Sequence, residues 1–336
     1  MGDSLFGLVR EHSSLSISGM CKNAGKTTAL NSIIRSAPDH EKLALTSIGR
    51  DGEEEDLLTF TPKPGIFIRE GSLFATAEKL LRLCDVTREI LAVTGISTPL
   101  GEVVMLRALS DGFVQLAGPS IVTQLVGLSQ LFRQHGADRV IIDGAVGRKS
   151  LCSRSLAEAA VLCTGASFSR SMDEVVAETA HVCGLLMTAE AGGDVRELGS
   201  ETHGNKYALL GKTKEFFPDG ADLTALMKQA DEPRLLYVEG AVTDSMLDPL
   251  IRAKLPEGLM IAARDASRLL ISSNCLRRLS VQKVRLGVLE GIHLAAVTVN
   301  PFSAYGEHFD KTEFQRRMAA AVPVPVIDVG AAIRYI

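Results

Sequence analysis

The chain has 336 residues, 46 % of them hydrophobic and 23 % charged, with 36 basic against 40 acidic side chains for a formal charge of −4. This composition excludes an intrinsically disordered chain, and the length suits two domains or one large α/β unit. Mild acidity, with a pI near 6.0, argues against general nucleic-acid binding, which needs basic surface to neutralise phosphates. No stretch of about 18 or more apolar residues offers a membrane helix. The opening MGDSLFGLVREHSS lacks the basic-then-apolar pattern of a secretory signal. The six cysteines are scattered without a Cys-x-x-Cys pair, and the histidines show no metal-protease spacing. The expectation is a soluble cytoplasmic α/β protein with reduced thiols and neither nucleic acid nor membrane as partner.

In chain order, Ser14–Ser18 reads as a strand, followed by a Gly-rich turn and a helix over Thr27–Ser36 that Pro38 closes. Lys42–Ile48 is a second strand. This strand–loop–helix–strand series opens a doubly wound, mostly parallel sheet. The polar stretch from Glu53 through Thr59–Gly65, punctuated by prolines, predicts a loop. Ile66–Arg69 follows as a strand, and Leu73–Cys84 as an amphipathic helix. Val103–Leu109 and Phe113–Ala117 flank Ser110-Asp111-Gly112 as a hairpin. Next come a helix over Ser120–Gln134, buried strands at Arg139–Asp143 and Ala159–Cys163, and a helix over Met172–Leu186. Thr188–Asp219 is rich in Gly and charge and predicts a boundary, dividing the chain into residues 1–190 and a second α/β region, 191–336. In that region strands are expected at Leu235–Glu239, Leu259–Ala263, Leu294–Val299 and Val324–Asp328. Helices are expected near Asp244–Lys254, Ala266–Leu276 and Lys311–Ala320. The pattern leaves open whether this half extends the first sheet.

The segment Gly19-Met20-Cys21-Lys22-Asn23-Ala24-Gly25-Lys26-Thr27-Thr28 carries the strongest chemical signal. Backbone N–H groups at a helix start, helped by a lysine, meet the charge of a phosphate chain without solvent reorganisation. In this reading Gly25 admits the phosphates closely, Lys26 spans the β and γ phosphates, and the Thr27 hydroxyl ligates Mg²⁺. The usual spacing is G-x-x-x-x-G-K-[ST]; here five residues separate Gly19 from Gly25. Gly211-Lys212-Thr213 lacks a preceding strand and glycine loop, and reads as a chance Gly-Lys-Thr.

A six-step Gly-to-Gly loop ending in Gly-Lys-Thr resembles that of dethiobiotin synthetase and its relatives. Its Lys/Asn-containing approach to Gly-Lys-Thr-Thr is similar to the molybdenum-cofactor guanylyl adaptors. Both belong to the signal-recognition, MinD and BioD class of P-loop NTPases, and the resemblance spans roughly residues 14–190. It implies ATP or GTP with Mg²⁺ as ligands. Dimerisation is common in that class, so a homodimer is among the assemblies implied. Lys22 is one position too close to Lys26 to match the MinD signature lysine, and reads as phosphate electrostatics.

Asp143 closes an apolar strand in RVIIDGAVG and resembles a Walker B acid, able to hold Mg²⁺ and neutralise developing charge. Gly144 and Gly147 would let the following loop respond to a γ-phosphate. Asp51, in GRDGEEED, stands where this class often places an acid that coordinates metal or orients water; a solvated acidic turn with Glu53–Asp56 explains it equally. Arg148 and Lys149 could stabilise phosphoryl charge or be surface cations. Asn300-Pro301 ends a strand like the adenine-contacting Asn of dethiobiotin synthetase-like proteins, or simply closes a turn. No guanine-reading Asn-Lys-x-Asp follows a strand, so adenine is favoured. Arg264, Arg268, Arg277, Arg278, Lys283 and Arg285, against Asp265 alone, form either a solvated face or a docking face for an acidic partner.

The layout, with SIGRDGEEED, a Pro-Lys-Pro segment and LYVEGAVTDSML, is similar to ATP-binding proteins encoded near cobalamin-dependent lysine 5,6-aminomutase, which are thought to reactivate it. The expected function is therefore a Mg-ATP-binding hydrolase (ATPase) coupled to a protein partner, such as that mutase. Lys26, Asp51 and Asp143 would be the catalytic residues. Alternatives are a dethiobiotin synthetase-like ligase or small-molecule kinase, a GTP-binding cofactor-biosynthesis adaptor, and a nucleotide-gated binding module.

Overall fold

The computed structural model describes residues 4–49, 65–146 and 154–329. The elements begin with α1 (Leu5–Val9), β1 (Ser14–Gly19), α2 (Lys26–Ser36), β2 (Leu43–Ser47), β3 (Ile66–Ile68), β4 (Leu73–Ala77), β5 (Arg88–Thr98), β6 (Gly101–Ala108), β7 (Gly112–Val114), α3 (Val122–Gln134), β8 (Arg139–Val146), β9 (Ala159–Gly165) and α4 (Met172–Leu186). They continue as α5 (Gly193–Glu201), β10 (Tyr207–Leu210), β11 (Lys214–Phe217), α6 (Leu223–Gln229), β12 (Leu235–Val238), β13 (Val242–Thr243), α7 (Asp244–Arg252), β14 (Met260–Asp265), β15 (Leu269–Leu270), α8 (Ser273–Val281), β16 (Arg285–Glu290), β17 (His293–Asn300), α9 (Lys311–Ala321) and β18 (Val326–Asp328). None of the helices among the described residues is long and apolar enough to cross a membrane.

The chain forms two compact units, residues 1–180 with 293–336, and residues 181–292. Unit 1 holds a nine-stranded sheet in the order β18-β17-β9-β1-β8-β2-β4-β6-β5. From β18 to β4 every neighbouring pair is parallel, and β6 and β5 complete the sheet as an antiparallel hairpin. The chain is thus a mixed α/β protein with a large, mostly parallel central sheet. Strand side chains alternate between two cores. Leu15, Ile17, Leu43, Leu45 and Ile141 pack with Leu30, Ile33 and Ile34 of α2. Ala44, Val140 and Ile142 pack on the opposite face with Leu125, Leu128 and Phe132 of α3. Such two-sided burial explains why these strands read as continuous apolar runs.

Arg139, the first residue of β8, is 4 % exposed. It donates to the carbonyls of Val9, His12 and Arg10 and pairs with Glu41 at 2.9 Å. One guanidinium thereby satisfies the chain leaving α1 and fixes it to the lower edge of the sheet.

Unit 2 has a five-stranded sheet, β11-β10-β12-β14-β16, in which β12, β14 and β16 are parallel and β10 and β11 are antiparallel. Val195 and Leu198 of α5 pack on Ala208, Leu235, Tyr237 and Ala262.

The sequence divides the chain once, after residue 190. The structural division instead falls within α4, and the chain returns to unit 1 at His293, so that β17 and β18 extend the first sheet. Four local expectations are corrected. Leu73–Cys84 is β4 followed by a 3₁₀ turn over Glu78–Leu83, not one helix. β4 lies inside the sheet with all five residues buried, which erases the alternation that marks a strand. The hairpin expected around Ser110–Gly112 does not form: β6 pairs with β4 and β5, whereas β7 pairs with β3. The segment Thr188–Asp219 contains α5, β10 and β11, and Gly211–Thr213 is the turn joining the two strands. Finally, the helix expected at Ala266–Leu276 starts later, at Ser273, where the Ser272 hydroxyl accepts from the Cys275 N–H at 3.1 Å.

Candidate functional site

β1 sits between β8 and β9. Strands reached later in the sheet lie to both sides of it, and the carboxyl edge at such a reversal is where open α/β sheets leave a crevice. Gly19–Thr28 crosses this edge. Met20 N–H donates to the carbonyl of Cys163 at 2.9 Å, pinning the loop's start to β9. Asn23 (φ 60°) and Gly25 (φ 91°) both adopt the left-handed conformation, with Ala24 buried between them. Asn tolerates that region and Gly favours it. Such alternating handedness turns successive N–H groups toward one concavity. The first helical bond of α2 runs from Ala29 N–H to Gly25 carbonyl at 2.9 Å. Consequently the N–H groups of Lys26, Thr27 and Thr28 have no acceptor within the helix.

Lys26 folds back over the loop's origin. A Cβ built on Gly19 would lie 3.0 Å from Lys26 Cδ and 3.2 Å from its Nζ, so Gly19 makes room for that side chain. Lys22 and Asn23 are exposed on the rim, while Thr27 and Thr28 occupy the first turn of α2.

Asp143 stands on β8 opposite Ile17 of β1, and its backbone carbonyl accepts from Ile48 N–H at 3.0 Å. Lys26 and Asp143 both act electrostatically on the Cys163 thiol, in opposite directions. Ile17 pairs with Asp143 of β8 and Gly19 with Cys163 of β9, so the start of the loop, covered by Lys26, adjoins both strands. Burial pushes the Cys163 thiol up to about 11, with Lys26 opposing. The Cys21 thiol is likewise raised to about 11 by burial. Both thiols stay protonated near neutrality and are poor nucleophiles.

Asn300, at the end of β17, reaches the same loop. Its Nδ2 donates to the Asn23 carbonyl at 3.1 Å, and its Oδ1 accepts from Phe302 N–H at 3.1 Å. Its Cβ also lies 3.4 Å from where a Cβ on Gly25 would stand. The structure thus brings Gly19, Lys22, Asn23, Ala24, Gly25, Lys26, Thr27, Thr28, Asp143 and Asn300 to one edge of the sheet. Asp51, Glu53–Asp56, Gly147, Arg148 and Lys149 lie outside the described residues.

No group of three or more His, Cys, Asp or Glu side chains suited to a metal occurs among the described residues. The oxygens offered by the first turn of α2 and by the strand beside β1 are hard, the Thr27 hydroxyl and the Asp143 carboxylate. That set suits Mg²⁺, which is usually held by one or two protein oxygens, waters and substrate phosphates.

The basic stretch of unit 2 is largely neutralised within the unit. Arg264 pairs with Glu239 at 2.7 Å and Lys283 with Glu257 at 2.6 Å, while Arg278 pairs with Asp248. Arg268 donates to the Glu239 carbonyl at 2.8 Å. Partners supplied from distant positions were not visible in the local charge run. A cleft of about 630 Å³ opens in this unit beside Lys206, Glu239 and Arg264. Its charges are engaged too, Lys206 with Asp219 at 2.6 Å and Glu239 with Arg264 and the Tyr237 hydroxyl.

Comparison with known proteins finds no family model, no curated protein and no solved structure that matches this chain significantly.

Proposed function

We propose that Gly19–Thr28 is a phosphate-binding loop and that the chain is a Mg-ATP-dependent ATPase of the P-loop type, coupled to a protein partner. One observation carries this reading. The concave loop and the folded-back Lys26 lie at the reversal point of the sheet, beside Asp143, which stands opposite Ile17 within β8 three residues before that strand ends.

In this account the loop N–H groups and Lys26 hold the β and γ phosphates. Thr27 and Asp143 would hold Mg²⁺, which supplies neutralisation of charge on the phosphate oxygens. Hydrolysis is attack of water on the γ-phosphorus. The bond to the β–γ bridging oxygen breaks, ADP leaves, and the water proton ends on the released phosphate or solvent. Lys26 stabilises the negative charge that develops on the leaving oxygen. Asp51 would orient water or metal. The layout shared with ATP-binding proteins encoded near lysine 5,6-aminomutase supports a cobalamin-dependent mutase as the partner and reactivation as the outcome.

Phosphate release from Mg-ATP by the full chain, alone and with such a mutase, tests the coupling. Stimulation by the mutase is expected. Turnover that requires a small-molecule acceptor would favour the ligase or kinase alternative, and preference for GTP would favour the cofactor-biosynthesis adaptor.

A further inference from the structure

The phosphate chain has a polarity at this site, and it leads to an unassigned group of aromatic residues. If the loop binds nucleotide as proposed above, the reading on which this inference rests, the metal-bearing γ end lies toward Asp143. That residue is on β8, to one side of β1. The nucleoside must then leave on the other side, over β9 and β17. There the chain runs from Asn300 into the loop Pro301–Phe309.

This loop is closed on itself. Phe309 N–H donates to the Pro301 carbonyl at 2.9 Å, and Ser303 N–H donates to the Glu307 carbonyl at 3.2 Å. Ala304 N–H donates to the Ser167 hydroxyl at 3.1 Å, anchoring it beside the end of β9. Phe302 meets the His308 ring in a T-shaped arrangement at 5.2 Å. Despite this bracing Phe302 is 55 % exposed and Tyr305 is 72 % exposed. Phe302, braced against His308 yet open to solvent, forgoes the burial that normally stabilises a large aromatic side chain. Asn300 joins Phe302 to the phosphate loop, one amide touching both Asn23 and the Phe302 backbone.

We infer that Phe302 is the stacking platform for the purine base of the bound nucleotide, with Asn300 setting its distance from the phosphates. A base stacked on a preorganised ring gains affinity at little conformational cost.

The test is calorimetric titration of the full chain and its Phe302→Leu and Phe302→Tyr variants with Mg-ATP and with Mg-tripolyphosphate, which has no base. Phe302→Leu should weaken ATP roughly 5- to 150-fold, the range expected for one base–aromatic stack. It should leave tripolyphosphate unchanged, and Phe302→Tyr, which keeps a ring, should bind ATP like the parent. Equal ATP affinity in Phe302→Leu and parent would overturn the inference, as would equal loss of both ligands. A parent that binds tripolyphosphate as tightly as ATP would also overturn it while leaving the phosphate loop standing. A parent that binds neither would remove the phosphate loop itself, and this inference with it.

Discussion

The side-chain amide of Asn300 donates to the backbone carbonyl of Asn23 across 3.1 Å, joining positions 277 residues apart in the sequence. Asn23 is in the left-handed conformation, and its neighbour Gly25 approaches the Asn300 Cβ. A strand from the far end of the chain therefore braces the loop that begins near its start.

That brace should be measurable. In Asn300→Ala the Asn23 carbonyl loses its donor, and the loop loses a tie across to β17. A neutral hydrogen bond of this kind contributes about 1 kcal/mol, so affinity for Mg-ATP should fall several-fold while global stability changes little. Titration of the variant checks this, and an unchanged dissociation constant together with an unchanged melting curve would show the tie to be dispensable.

Arg139 makes a sharper prediction about stability. Its burial and its bonds to three carbonyls and Glu41 mean that truncation strands several groups at once. Arg139→Ala should cost about 3–5 kcal/mol, the usual penalty for breaking a buried pair from one side. Arg139→Lys should recover only part, because one ammonium cannot reproduce the fork of donors. Urea unfolding of the three proteins ranks them, and near-equal midpoints would contradict this role.

His12 gives a pH dependence. Its ring stacks on His293 at 4.7 Å. Burial and His293 hold its pKa below the ordinary value; Arg139 adds to the depression, while Glu158 and Glu11 oppose it. The unfolded chain takes up this proton near pH 6.5, whereas the folded chain resists it to lower pH. Below about 6.5 the unfolded state therefore binds more protons, and stability falls as pH drops toward the folded value. Above about 7.5 the contribution is flat. Melting temperature against pH from 8 to 5 should show this slope in the parent and a shallower one in His12→Gln. Identical profiles would exclude His12 as its source.

The role proposed for Asp143 predicts that binding and hydrolysis separate. Replacing its charge by an amide keeps the shape of the side chain and, in the proposed role, would weaken the hold on Mg²⁺. Asp143→Asn should lower phosphate release by about 10-fold or more, with a smaller loss of nucleotide affinity. Steady-state release and direct titration measure the two separately. Unchanged release would exclude Asp143 from the chemistry.

Much of unit 1 was legible in the sequence because its signals are local. The apolar runs at β1, β2, β8 and β9 and the helix Met172–Leu186 follow from periodicity alone. The clustering of glycine, lysine and threonine likewise marks Gly19–Thr28 without reference to any distant residue. What was not legible depends on pairing. IHLAAVTV reads as a buried strand, but nothing in it says that β17 joins β9 of the first sheet. The Asn300–Asn23 tie and the exposure of Phe302 follow from that pairing. β5 was missed because threonine and glycine interrupt its apolar pattern at an edge where only one neighbour, β6, constrains it. The acids that neutralise the Arg264–Arg285 stretch come from separate elements, so a linear charge run exaggerated its field.

The central claim is that Gly19–Thr28 binds the phosphates of a nucleotide, and calorimetric titration of the full chain with Mg-ATP, beside its Lys26→Ala variant, tests it most directly. The account predicts one saturable site in the parent and at least about a tenfold loss in Lys26→Ala, with an unaltered circular dichroism spectrum. Equal affinity in the two proteins, or no binding by the parent, would contradict it.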